Sequence, residues 1–104
     1  MTIARSWTAC ATQDGARDYV DYFRKTLTPA LAQLPGFLRA EIFEGKRGEL
    51  VELVVMTRWA SLEAIRGFAG EDFERAVVEP EARTLLVSFD ERVQHRTLVL
   101  DVDR

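Results

Sequence analysis

The ten residues Leu50–Trp59 set the strictest condition on what this chain can fold into. Read with the two-residue period of a strand, Val51, Leu53, Val55, Thr57 and Trp59 lie on one side. Leu50, Glu52, Val54, Met56 and Arg58 lie on the other, and both sides are mainly apolar. Such a strand belongs at the centre of a sheet that is covered front and back. The rest of the chain must therefore supply its neighbours and its two covers.

Three other stretches read as strands. Thr2–Ala11 places Ile3, Arg5, Trp7, Ala9 and Ala11 on one side and Ala4, Ser6, Thr8 and Cys10 on the other. Phe37–Glu44 places Leu38, Ala40 and Ile42 opposite Phe37, Arg39, Glu41 and Phe43. The loop Gly45-Lys46-Arg47-Gly48, with two glycines available for positive φ, joins it to the central strand as a hairpin. Phe89 to about Val102 is the fourth strand, with Val93, His95, Thr97 and Val99 on a shared face.

Between strands the apolar spacing turns helical. Thr12 is placed to cap a helix in which Ala16, Tyr19, Val20, Phe23 and Leu27 face inward, with Asp14 and Asp18 near its positive end. Thr28-Pro29 predicts a fresh helical start, continued by Ala30, Leu31 and Leu34 and ended by Pro35-Gly36. Ser61 caps a second helical region with Leu62, Ile65 and Phe68 inward, broken at Gly70. Asp72–Val78 predicts a further short helix with Phe73, Ala76 and Val77 inward, and Pro80 opens a last turn through Leu85 and Leu86.

The order βαββαβ, with right-handed crossovers, predicts a ferredoxin-like α+β sandwich: a four-stranded antiparallel sheet with helices on one face. The 104 residues fit one domain, 1–104. One helical layer covers one face only. The other would expose a larger apolar patch than a monomer ordinarily tolerates, so a second copy is expected over the open sheet face. Arg5, Arg39 and Glu41 are expected to form ion pairs in or around that homodimer interface, and Trp7 to lie there.

Composition narrows the function classes. Net charge is −3 with no basic block, which argues against nucleic acid. The single cysteine, Cys10, makes no internal disulfide and has no evident histidine partner. No apolar run suggests a membrane helix, and Met1–Trp7 lacks the core of a signal peptide, so a cytoplasmic location is expected. One histidine among scattered carboxylates predicts no transition-metal site. No phosphate-binding glycine loop or serine elbow is present.

The stretch Arg58-Trp59-Ala60-Ser61-Leu62-Glu63-Ala64-Ile65-Arg66-Gly67-Phe68-Ala69-Gly70, then Asp72, Ala76-Val77-Val78, Pro80-Glu81-Ala82 and Val93-Gln94-His95, resembles the antibiotic-biosynthesis monooxygenase family. Pro35-Gly36-Phe37 before the second strand fits the same pattern. The resemblance implies a dimeric α/β barrel, in which two sheets pack together and a cavity lies between sheet and helices. It implies chemistry ranging from cofactor-free monooxygenation to haem degradation, and includes proteins with no known reaction. Active members draw on an Asn and a Trp, and haem degraders add a helical His. Here there is no Asn, Phe68 stands at the helical Trp position, and Val78 falls near the helical His position. Haem degradation by that route is not expected, and no cofactor is. Trp59 matches a Trp that recurs at the end of the third strand.

The candidate site follows. His95, the only side chain that titrates near neutrality unperturbed, is the candidate general base. Arg58 is the candidate stabiliser of an enolate or carboxylate. Tyr19, Tyr22, Phe23, Trp59, Phe68 and Phe73 are candidates to line a pocket for a small aromatic ligand. Each has a plainer reading as core or surface packing. Two functions remain open at this point. One is a cofactor-independent monooxygenase acting on a small aromatic or polyketide-like molecule. The other is a non-catalytic, small-ligand-binding or stress-associated homodimer on the same scaffold.

Overall fold

The computed structural model describes residues 1–104. β1 (Ile3–Ala11), β2 (Phe37–Arg47) and β3 (Leu50–Trp59) form the body of one antiparallel sheet. Two short pieces, β4 (Ser88–Phe89) and β5 (Gln94–Thr97), share the remaining edge of β1, giving the order β2-β3-β1-β4. α1 (Gln13–Tyr22), α2 (Thr28–Ala32), α3 (Leu62–Ala69) and α4 (Pro80–Leu85) make up the helical layer. This is a ferredoxin-like α+β sandwich with β3 between β1 and β2, as its two apolar faces require. No helix is long and apolar enough to cross a membrane.

The helix starts follow local chemistry. The Thr12 hydroxyl accepts the Gly15 amide at 3.0 Å, and the Ser61 hydroxyl accepts the Ala64 amide at 3.1 Å. At Thr28-Pro29 the expected new cap does not form. The chain instead widens into one π turn, Phe23–Leu27, and runs on into α2. Pro29 has no amide hydrogen, and its ring would strike the Lys25 carbonyl of a regular helix. The wide turn relieves this: the Thr28 amide reaches back to the Phe23 carbonyl, and the Thr28 hydroxyl donates to that same oxygen at 3.1 Å.

Four other expectations are corrected. The hairpin loop is shorter than Gly45–Gly48, because β2 runs to Arg47 and only Gly48-Glu49 turn the chain. A bulge at Leu38 lets Phe37 join the helix-side face against Trp59, with Leu38 turned out to solvent. Asp72–Val78 is not a helix but extended, irregular chain. It pairs with the end of the sheet: the Ala76 amide donates to the Glu91 carbonyl and the Val93 amide to the Glu74 carbonyl, each at 2.8 Å. For the same reason the fourth strand is broken at Asp90–Val93, where the chain leaves β1 to meet this segment, and residues after Thr97 carry no strand.

The remaining correction concerns which face is which. Ile3, Arg5, Trp7, Ala9 and Ala11 sit opposite Trp59, Thr57, Val55, Leu53 and Val51, and this entire set is buried under the helices. Arg5 and Trp7 therefore belong to the helix side and not to an interface on the open face. Trp59, Leu53 and Ile65 are fully buried, and Trp59 is stacked on Phe68 at 5.3 Å and met edge-on by Phe37 at 5.4 Å. The opposite sheet face carries Val54 and Met56 half-buried, Phe43 51% exposed, and ion pairs of Glu41 with Arg39 and Arg58.

Gly36 and Gly48 both have positive φ, at 84° and 62°, but in different surroundings. A Cβ on Gly36 would stand 2.5 Å from the Ala64 Cβ, whereas one on Gly48 would meet nothing within 4 Å. Gly48→Ala is expected to destabilise by about 1–2 kcal/mol through backbone strain alone. Gly36→Ala is expected to add overpacking against α3, for about 2–4 kcal/mol in total. Urea melts of the two variants check the order; equal losses would remove the α3 contact as its cause.

Candidate functional site

Between the sheet and the helices lies a small cavity of about 60 Å³. Trp7, Tyr19, Phe23 and Phe68 give it aromatic walls; Leu31, Val55, Val77 and Val93 give aliphatic ones; Arg5 and Thr57 are its polar members. The strand residues reach it because they share the helix-side phase of β1 and β3. Tyr19 reaches it from the inward stripe of α1, and Phe23 stands where the π turn begins. A larger space of about 1370 Å³ between α1 and the β2–β3 hairpin is an open groove. Its charges are of both signs (Arg17, Asp21, Arg24, Glu44, Lys46, Glu49) and contain none of the aromatic candidates.

Arg5 dominates the electrostatics of the cavity. It is 5% exposed and takes part in none of the chain's ion pairs. Its Nη1 donates to the Phe73 carbonyl and lies 3.0 Å from His95 Nε2, while Nη2 donates to the Arg75 carbonyl at 3.1 Å. The guanidinium also sits 5.6 Å from the Phe68 ring centre. These carbonyls are free because Phe73–Val78 is not helical; a helix would have engaged them internally. Burial lowers the Arg5 pKa to about 10, so it stays charged at neutral pH.

His95 lies beside Arg5 across the β1–β5 pairing, with its ring 5.3 Å from that of Phe73. Its pKa is lowered by burial first and by the Arg5 charge second, against an opposing pull from Glu74. A neutral imidazole whose Nε2 accepts from Arg5 carries its proton on Nδ1. Tyr19 and Tyr22, with rings 6.1 Å apart, have raised pKa values, both chiefly through burial. The charge on Tyr22 adds to the shift at Tyr19, and Glu79 and Glu81 add to that at Tyr22. Both hydroxyls therefore stay protonated at neutral pH.

The candidates from sequence divide accordingly. Tyr19, Phe23 and Phe68 line the cavity. Tyr22 packs behind Tyr19 and Trp59 behind Phe68, so these two support the walls, while Phe73 packs against His95 and neither of that pair lines the cavity. Arg58 stands on the open sheet face, opposite Ala4 and within 3.8 Å of Glu41 and Asp101, away from the cavity. Sequence reasoning missed Arg5, Trp7 and Thr57. The signal was present in Arg5: a cation in phase with Ile3, Trp7, Ala9 and Ala11 on a strand face that is otherwise apolar. No three His, Cys, Asp or Glu side chains are gathered to hold a metal ion.

A model of the antibiotic biosynthesis monooxygenase family matches residues 7–79. The chain belongs to this family. Among solved structures it is similar to SnoaB, a cofactor-independent oxygenase from Streptomyces nogalater, with 15% identity over 100% of both chains and a TM-score of 0.63. It is likewise similar to the haem-degrading protein Rv3592 from Mycobacterium tuberculosis, with 21% identity, 99% and 100% coverage and a TM-score of 0.62. At these identities the likeness establishes the fold. A search of curated proteins gave no match.

The burial of His95, beside Arg5, carries a pH dependence whose sign is fixed. The folded His95 pKa lies below the ordinary 6.5, so between those values the unfolded chain binds the extra proton. The contribution to stability is full above 6.5 and is lost as pH falls through the folded value. Thermal melts from pH 7.5 to 5 are expected to fall more steeply for the wild type than for His95→Gln. His95 is the only histidine, so its ring signals in proton NMR report its pKa directly. Arg5→Met is expected to raise it; an unchanged value would show that the Arg5 charge does not act on His95.

Proposed function

We propose that this protein is a cofactor-independent oxygenase-like enzyme that acts, as a homodimer, on a small aromatic molecule held between sheet and helices. The observation that carries the proposal is the cavity itself: four aromatic walls and a polar end at Arg5 and Thr57, with His95 bonded to Arg5 just behind. Membership of the monooxygenase family and the fold shared with SnoaB, a cofactor-independent oxygenase, support it.

In this reading the substrate supplies the electrons. His95 accepts a proton at Nε2, after Arg5 turns from it, and leaves a phenolate or enolate in a site from which water is excluded. The anion donates to dioxygen and forms a C–O bond. Loss of water from the resulting peroxide leaves a carbonyl on the substrate and requires no external reductant. The anion-stabilising task assigned to Arg58 from sequence passes to the helix-side face, since Arg58 lies across the sheet.

The second reading, a ligand-binding homodimer without chemistry, also has observations in its favour. The His95 Nε2 is already engaged by Arg5, and His95 is not among the side chains that line the cavity. Oxygen uptake with hydroquinones, anthrones and flavonoid-like phenols separates the two. The first expects uptake that falls by about 10²–10⁴-fold in His95→Ala. Binding of the same compounds with no uptake would leave the second.

The dimer reading rests on the open sheet face, where Phe43 and Leu38 are more than half exposed beside half-buried Val54 and Met56. Val99, Leu100 and Val102, beyond β5, are large apolar side chains exposed as well. A stable interface over the open face needs to bury about 1,200–2,000 Å² in total. Light scattering is expected to give twice the 11.8 kDa chain mass, and Val54→Asp to shift it toward the single mass. A wild type that stays monomeric at micromolar concentration would overturn this assembly.

A further inference from the structure

We infer that Arg5 and Thr57 form an oxyanion-binding site at the polar end of the cavity, and that the ligand is a single-ring aromatic molecule bearing a carboxylate or phenolate oxygen. This rests on the cavity being the ligand site and names the chemistry it selects. A guanidinium presents five N–H donors. Phe73, Arg75 and His95 engage three, which leaves Nε–H and one Nη2–H without a protein partner. No side-chain nitrogen is sealed from solvent without a bond, so the unbonded Nε keeps some accessible surface, on a side chain that lines the cavity.

Thr57 faces Arg5 across the β1–β3 pairing and lines the same cavity. Its oxygen accepts the Trp59 indole N–H at 2.9 Å, so the hydroxyl is fixed in place and its own proton remains to be donated. Three donors and one positive charge thus belong to two paired residues that line the same cavity, with no acidic side chain bonded to them. A buried charge is ordinarily paired, and an arginine fork matches a carboxylate or a phenolate better than any neutral group. The aromatic walls supply the rest of the specificity. An engineered apolar cavity of ~150 Å³ takes one benzene ring, so this space of about 60 Å³ must widen to admit even a single ring and has no room for a fused ring system. Val77 and Val93 are the wall residues outside regular elements, and Val77 is 40% exposed, so its side chain is the part of the wall that can move aside while the backbone of the segment stays pinned.

The test uses the full chain and isothermal titration with four probes: benzoate, 4-nitrophenolate at pH 8.5, and the neutral benzamide and benzyl alcohol. At least one anion is expected to bind tenfold or more tightly than either neutral ring, and which anion wins separates carboxylate from phenolate. Arg5→Met is expected to lower anion affinity tenfold or more with little change for the neutral rings, and Thr57→Val to give a smaller loss of the same kind. Should Arg5→Met fail to fold, the wild-type His95 NMR signal decides: a bound anion raises the His95 pKa, and a neutral ring does not. Equal affinity for anions and neutral rings, no anion binding at millimolar concentration, or an unmoved His95 pKa on anion binding would each overturn the site. Anion binding without oxygen uptake leaves this site standing and removes the oxygenase reading. Uptake undiminished in a folded Arg5→Met does the reverse.

Discussion

The burial of one unpaired guanidinium organises this end of the molecule. Arg5 is carried inward by the phase of β1, among Ile3, Trp7 and Ala9, and nothing on the sheet neutralises it. Two backbone carbonyls and an imidazole are brought to it instead. Those carbonyls come from the chain after α3 and the imidazole from β5, so one side chain ties together three parts of the chain that are distant in sequence. Solvating a cation with fixed dipoles in place of water is worthwhile only where the structure holds them rigidly. The pairing of Ala76 with Glu91 and of Val93 with Glu74 gives the segment that rigidity.

This tertiary demand explains where local sequence patterns failed. Phe73, Ala76 and Val77 have helical spacing, but in seven residues that end in two β-branched side chains this preference is weak. The protein offers its carbonyls and amides better partners, in Arg5 and in residues 91–93, and the helix is lost. The same pairing breaks the fourth strand. By contrast the elements set by their own residues were legible: the caps at Thr12 and Ser61, the alternation along β1 and β3, and the strand order that places β3 at the centre. The π turn falls between these cases. Pro29 announces an interruption, but whether a helix restarts or widens depends on the hold of α1 and α2 on the sheet beneath.

The candidate site was legible in part for a related reason. Tyr19, Phe23 and Phe68, picked out by residue type, line the cavity because an inward helical stripe is fixed by periodicity. Arg58, the cation chosen from sequence, stands on the face of the sheet opposite the cavity. Arg58 and Arg5 are both strand arginines near aromatic residues, and only phase distinguishes them: Arg58 alternates with Trp59, whereas Arg5 is in register with it through Thr57 and Ile3. The even-numbered side of β3 also read as apolar, which hid the fact that Arg58 and Glu41 make it the less buried one.

The two faces of β3 thus serve separate purposes, and the separation bears on how function and assembly relate. The helix-side face holds the cavity and its charge; the open face holds Val54, Met56 and the Glu41 ion pairs. Because successive residues of one strand serve both, Thr57 in the cavity is flanked by Met56 and Arg58 on the other side. A second copy packed on the open face would restrain the backbone of β3 from behind, and with it the Thr57 hydroxyl and the Arg5 opposite. Oxyanion donors discriminate between ligands only when their positions are held before the ligand arrives. On this scaffold the partner need contribute no residue to the cavity to matter for it, since stiffening a shared strand is sufficient.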